Sequence, residues 1–141
     1  MSPQKIGVGI IGVEPDRSWS AIAHIPALQA LAQYQVVALS TTRQESAAAA
    51  AGKYGVSHAF DNHRDLVSHP DVDLVAVTVK VPHHLELVTA ALEAGKSVYC
   101  EWPLGNGLDQ AVRMAELAKR KRLHAAIGLQ ARVAHVVRKR S

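Results

Sequence analysis

The chain comprises 141 residues, 48% apolar and 20% charged, the size and balance of one soluble globular domain rather than a disordered polymer. No apolar run approaches the roughly 18 uncharged residues of a membrane helix, and a single cysteine, Cys100, excludes an internal disulfide framework and suits a reducing, cytoplasmic setting. The net charge of +4 is uneven, because residues 119–141 hold eight basic side chains and no acid, against 8 basic and 12 acidic residues before them.

At the N-terminus, Met1-Ser2-Pro3-Gln4-Lys5 enters a short apolar segment without a small-residue cleavage site, so no signal peptide is expected. Residues 6–11 read as a buried strand that stops at Gly12. Helical spacing runs from Trp19 to Leu31, with a kink or split at Pro26, which has no backbone N–H to donate. Residues 35–40 form a second strand. A helix over 45–54, with five consecutive alanines at 47–51, is closed by Gly55. A short third strand at 57–60 precedes a brief helix at 62–67, which must finish near Pro70. Residues 74–79 are apolar on both faces, as a central parallel strand requires. A helix over 84–94 ends at Gly95, and a fifth strand follows at 97–100. After the loop 101–106 come a helix at 108–122 and a sixth strand at 124–129.

This alternation predicts an α/β fold, a doubly wound parallel six-stranded sheet of the Rossmann kind. One domain spans 1–133, and 134–141 form a basic C-terminal tail. Aromatic residues amount to only 4%, so the basic residues read as solvated charge rather than a nucleic-acid surface. Ligands of such sheets sit at the carboxyl ends of the strands, which directs attention to the loops after strands one, two, four and five.

A literal G-x-G-x-x-G spans Gly7, Gly9 and Gly12, but only six residues precede it. Gly7 and Gly9 therefore fall inside the strand, and Gly12 alone reaches the turn. Ser18 and Ser20 offer hydroxyls at the next helix start, where free backbone N–H groups attract a pyrophosphate. The second strand ends in Ser40-Thr41-Thr42-Arg43, with no carboxylate for a ribose and with an Arg suited to the extra phosphate of NADP. The bland alternative there is a polar loop beside a helix cap. In Lys80-Val81-Pro82-His83-His84 the adjacent imidazoles point in different directions and lack a Cys or carboxylate at ligand spacing, so no metal is expected. The other histidines (His24, His58, His63, His69, His124, His135) are scattered. Cys100 reads as a small buried hydrophobe. Glu101 closes the fifth strand, where it can either bond a sugar or nicotinamide or serve as a surface carboxylate.

In order, Val8-Gly9-Ile10-Ile11-Gly12, His24-Ile25-Pro26-Ala27-Leu28, and His84 through Ala94-Gly95-Lys96-Ser97-Val98 into Glu101-Trp102-Pro103-Leu104 resemble the Gfo/Idh/MocA oxidoreductases, nicotinamide-dependent sugar and polyol dehydrogenases. Trp19-Ser20, Ser40, Glu101-Trp102 and Gly128-Leu129-Gln130-Ala131-Arg132 are similar to the branch holding the yeast galactose-regulon repressor. The resemblance covers about residues 5–133. It implies that Gly12, Val13, Trp19 and Ser20 border the pyrophosphate, and Ser40, Thr41, Thr42 and Arg43 the adenosine ribose. Val79, Lys80, Val81 and His84 would border the middle of the cofactor, and Glu101 and Trp102 its nicotinamide end. It also implies a cis Trp102–Pro103 bond.

Two departures stand out. Trp102 replaces the lysine of the family's Glu-Lys-Pro, and Lys80-Val81 replace its usual Pro and Asn. Family members also continue into a C-terminal substrate domain, expected to be absent here. The expectation is an NADP-binding domain (NAD being the alternative) of an oxidoreductase, not catalytic alone and without catalytic residues of its own. The competing expectation is a non-catalytic, NADP-sensing regulator that binds a protein partner. A missing substrate domain, a protein partner and a homo-oligomer are each compatible with the sequence; nucleic acid and membrane are not expected partners.

Overall fold

Six strands form because short apolar runs alternate with helices that bury only one face. The computed structural model describes residues 3–133; the expected tail at 134–141 lies outside them. The strands are β1 (Ile6–Ile11), β2 (Tyr34–Ser40), β3 (His58–Phe60), β4 (Leu74–Val77), β5 (Ser97–Glu101) and β6 (Ala125–Gly128). They lie in the order β3-β2-β1-β4-β5-β6, every pair parallel. The chain winds outward from β1 to β3, returns to lay β4 against the other side of β1, and winds outward again. Adjacent loops therefore leave β1 and β4 in opposite directions, and a crevice opens between them.

The helices are α1 (Ile25–Ala30), α2 (Gln44–Tyr54), α3 (His63–Ser68), α4 (His84–Glu93) and α5 (Leu108–Lys121). One core layer joins Val8, Ile10, Ile25, Leu39 and the small Ala47 and Ala50 of α2. The other joins Leu66, Val75, Val77, Leu92, Cys100 and Met114 beneath α3, α4 and α5. The alanine run lets α2 approach β2 closely. Asn62 accepts the Asp65 N–H at 2.9 Å and so starts α3. Gly55, at φ 66°, closes α2 in the left-handed region.

Two expected elements differ in form. The helix expected over 19–31 is a π-helical turn, Ser20–His24, followed by α1. The Ile25 N–H reaches Ser20 O, one residue further back than in an α-helix. The change of register falls immediately before Pro26, whose missing N–H could not have continued the preceding ladder. The strand expected over 74–79 stops at Val77: the Thr78 N–H makes the last ladder bond, to Ile11 O at 3.0 Å, and the Thr78 hydroxyl bonds the same carbonyl at 2.8 Å. Other boundaries shift by a residue. The Trp102–Pro103 bond is cis, as the resemblance implies.

Gly7 and Gly9 lie within β1, as their register requires. A Cβ at Gly7 would fall 1.8 Å from Asp71 O, and one at Gly9 2.7 Å from Leu66 Cδ2. These glycines exist for packing. Gly52 in α2 faces nothing within 4 Å. Gly7→Ala is therefore expected to lower stability by about 3 kcal/mol through backbone displacement, whereas Gly52→Ala raises it by about 0.5–1 kcal/mol through helix propensity. Urea denaturation midpoints of the two variants check both signs.

Candidate functional site

The carboxyl ends of β2, β1, β4 and β5 are neighbours on one edge of the sheet. Three interstrand steps at about 4.8 Å make this edge about 14 Å long. At its centre Gly12 has φ 94°, and a Cβ there would lie 2.4 Å from Val79 Cγ1 and 3.0 Å from Thr78 O. Its N–H donates to Ser40 O at 3.0 Å. Its carbonyl accepts from Ser20 Oγ at 3.1 Å and Thr78 Oγ1 at 3.2 Å. One residue thus joins the ends of β1, β2 and β4 to the π turn.

This bonding corrects one expectation. The Ser20 hydroxyl is not presented to the crevice: Ser20 is fully buried and committed to Gly12. Ser18 Oγ is likewise engaged, bonding Glu14 and lying 2.7 Å from Ser20 Oγ. Val13 is buried, and Trp19 is about half exposed. An exposed ion pair between Lys53 and Asp16 ties the loop after β1 to α2; its hydrogen bond to Asp16 raises the Lys53 pKa.

At the end of β2, Ser40 is buried. Thr41 Oγ1 donates to Arg43 O at 2.7 Å and accepts the Arg43 N–H at 3.2 Å, a local turn that starts α2. Thr42 and Arg43 are exposed. Arg43 makes no ion pair among the described residues. Of the expected quartet, Ser40 is buried, the Thr41 hydroxyl is used internally, and Thr42 and Arg43 remain outward.

After β4, Val79 is half-buried and Lys80 exposed, and a 3₁₀ turn at Val81–His83 leads into α4. His84 is buried. Its Nε2 lies 2.8 Å from Val79 O, and its Nδ1 2.9 Å from Pro103 O and 3.3 Å from Cys100 Sγ. The imidazole therefore fastens the loop after β4 to the loop after β5 and is not itself open to a ligand. Burial, and secondarily the Glu101 carboxylate, push the Cys100 pKa up to about 12, so Cys100 stays a thiol and an unsuitable nucleophile.

Glu101 ends β5, and its Oε1 lies 3.0 Å from His24 Nε2, both side chains being mostly buried. The His24 ring meets Tyr99 edge-on at 5.3 Å. Trp102 is 63% exposed. In the sequence His24 is one of several scattered histidines; its place in His24-Ile25-Pro26-Ala27-Leu28, a segment that carries the resemblance, is the signal for its role. Thr78 gave no comparable signal, since its role follows from where β1 and β4 meet.

A strand edge with a glycine hub at the switch point, four loops in a row and an exposed arginine at one end defines a dinucleotide-binding α/β domain. The family model described as "Oxidoreductase family, NAD-binding Rossmann fold" matches residues 6–129. A dehydrogenase of Aspergillus oryzae, AclE, is 37% identical over 142 residues, covering 96% of this chain and 39% of that protein. Inositol 2-dehydrogenase 3 of Saccharopolyspora erythraea is 36% identical over 120 residues, covering 84% of this chain and 33% of its own length. The crystal structure of a super-repressor mutant of Gal80p from Saccharomyces cerevisiae superposes with a TM-score of 0.84 at 28% identity, covering 96% of this chain and 37% of that one. The chain belongs to the Gfo/Idh/MocA oxidoreductase family, of which it carries the NAD-binding Rossmann domain. It spans between a third and two fifths of the length of these relatives.

Removal of the His84 ring leaves the Val79 and Pro103 carbonyls without their bridge and opens a cavity. His84→Ala is expected to lose about 3 kcal/mol of stability. It should also expose Cys100, so that a thiol reagent labels the folded variant faster than the unaltered chain. Equal labelling rates and equal urea midpoints would remove His84 from this role.

Proposed function

We propose that this domain binds a nicotinamide dinucleotide across the carboxyl edge of its sheet and prefers NADP to NAD. In this reading Thr42 and Arg43 take the adenosine ribose and its phosphate, with Ser40 and Thr41 shaping the turn beneath them. Gly12, Val13, Trp19 and Ser20 form the pyrophosphate floor, through backbone and packing rather than through the serine hydroxyl. Val79, Lys80 and Val81 border the middle, with His84 holding that loop in place. Glu101 and Trp102 border the nicotinamide, which when bound supplies hydride chemistry. The fit is supported by the space that Gly12 leaves where a Cβ would strike Val79, and by the length of the edge, which suits an extended ligand.

The observation that carries the NADP preference is Arg43, exposed and without an ion pair among the described residues, at a strand end lacking the carboxylate that NAD sites use. A charge-assisted contact to phosphate contributes about 1.5–3 kcal/mol. Calorimetric titration is expected to give roughly tenfold or tighter binding of NADP over NAD, and Arg43→Ala should erase the difference. Equal affinities in the unaltered chain count against the assignment.

The whole protein's activity in this reading belongs to the sugar and polyol dehydrogenase class, and these residues alone do not turn over. Trp102 stands where the family's lysine is expected, and an indole cannot carry a proton between substrate and solvent. Glu101 is held by His24 and orients rather than transfers. General acid–base groups contribute about 10²–10⁴-fold to such steps. The absorbance band of reduced nicotinamide should therefore not grow when the chain is mixed with oxidised cofactor and a panel of sugars and polyols. Steady reduction abolished by Glu101→Ala would overturn this. The exposure of Trp102, together with the likeness to Gal80p, supports a second reading: a cofactor-sensing regulator whose indole meets a protein partner.

A further inference from the structure

The amino edge of the sheet, opposite the dinucleotide crevice, gathers a second set of chemically capable side chains. His58 begins β3, His69 follows the last turn of α3, and Asp71 lies two residues further on, before β4. The fold brings the 58 and 69 positions together because β3 and the end of α3 meet at this edge. The His58 and His69 ring centroids are 4.1 Å apart and tilted by 40°. His58 Nε2 lies 3.9 Å from Asp71 Oδ2. One ligand atom from each of the three residues can be chosen so that all lie within 4.8 Å of one another.

We propose that His58, His69 and Asp71 form a binding site for a borderline divalent cation of the zinc class. Two imidazoles and one carboxylate are the donor set such an ion takes, with water completing the tetrahedron. The backbone that carries the donors is fixed. The Asp71 carbonyl packs against Gly7 so tightly that no Cβ fits there. His69 O accepts from Lys96 Nζ at 3.0 Å and from the Val72 N–H at 3.1 Å. Asp73 bonds the Gly7 N–H at 2.8 Å, which holds the loop to β1 and occupies one of its own oxygens.

A cleft of about 340 Å³ opens beside the cluster, lined by His58, Asp71, Asp73 and Lys5 among others, and gives room for the waters. Zinc–nitrogen bonds of about 2.0–2.1 Å place tetrahedral ligand atoms about 3.3 Å apart. The cluster must therefore close by up to about 1.5 Å, through rotation of the two imidazoles and of the exposed Asp71 carboxylate. One bond is given up on loading. His69 Nδ1 accepts the Asp71 N–H at 3.1 Å, and ligation through either ring nitrogen displaces that contact. With three protein ligands and this loss, the site binds more weakly than a four-ligand structural zinc centre. Its effect is to clip the three-residue β3 to the start of β4.

The test uses the untagged chain, stripped with a chelator and titrated with zinc chloride, followed by calorimetry and by histidine ring resonances in NMR. The expected result is one equivalent bound, with His58 and His69 shifting first and the melting midpoint rising as zinc is added. His58→Ala, His69→Ala and Asp71→Asn should each weaken binding by roughly tenfold or more, while His124→Ala leaves it unchanged. Melting of the metal-free variants checks that each is folded. Zinc shifts spread evenly over all histidines, or an affinity untouched by the three substitutions, would overturn the site.

Discussion

Gly12 is the constraint on which the carboxyl edge of the sheet depends. Its N–H is bonded to the end of β2, and its carbonyl receives hydroxyls from the π turn and from the residue after β4. Four segments distant in sequence thus meet on one residue. A side chain at this position would collide with Val79, so the meeting requires glycine on steric grounds as well as for its φ of 94°. The early end of β4 follows from the same junction. The Thr78 hydroxyl bonds the carbonyls of Ile11 and Gly12, and the Val79 that follows stands against Gly12 at the switch point.

Two imidazoles extend this order to the rest of the edge. His84 spans the loops after β4 and β5 from a buried position, and His24 joins the π turn to the last residue of β5. His84 thus ties two neighbouring loops on one side of the switch point, and the His24–Glu101 contact crosses it. Held this way, the walls are set before any ligand arrives, which limits the ordering that binding would require. The π turn serves the same end. By advancing the chain one residue within a turn, it absorbs the break imposed by Pro26 in the segment that carries His24.

The architecture was legible from hydrophobic pattern because a parallel sheet buried on both faces leaves an unmistakable sequence of apolar runs, of which residues 74–77 are the clearest. The turn glycines 12, 55 and 95 were readable for a related reason: each stands where a strand or helix must stop. The strandward reading of Gly7 and Gly9 rested on counting residues before the motif, and the close packing at both positions gives it a physical basis. What pattern could not reveal was where side chains with hydrogen-bonding capacity would spend it. Ser18, Ser20 and Thr41 look like ligand groups in sequence, yet bond their own loops. His24 looks incidental and His84 looks like a cofactor contact, yet they join elements 77 and 19 residues away. Such partnerships are set by tertiary proximity, which local periodicity does not encode.

That redistribution of hydroxyls changes the chemistry of the proposed site. With the serines turned inward, its floor is backbone and apolar packing, which hold a dinucleotide without distinguishing its variants. On the proposed reading, discrimination then falls to the exposed Arg43 at the end of β2, which makes no ion pair among the described residues. At the opposite end the balance is reversed. Glu101 is fixed by His24, but the residue beside it is an indole, 63% exposed, instead of an ammonium. An indole at that place adds a flat apolar surface and removes a proton carrier. On the proposed reading, then, the two ends have separated in function: the β2 end keeps a group that recognises the cofactor, while the β5 end keeps the carboxylate and offers a contact face. A dehydrogenase half and a cofactor-sensing regulator share this arrangement, and they differ in whether what meets Trp102 brings the acid–base group that the indole displaced.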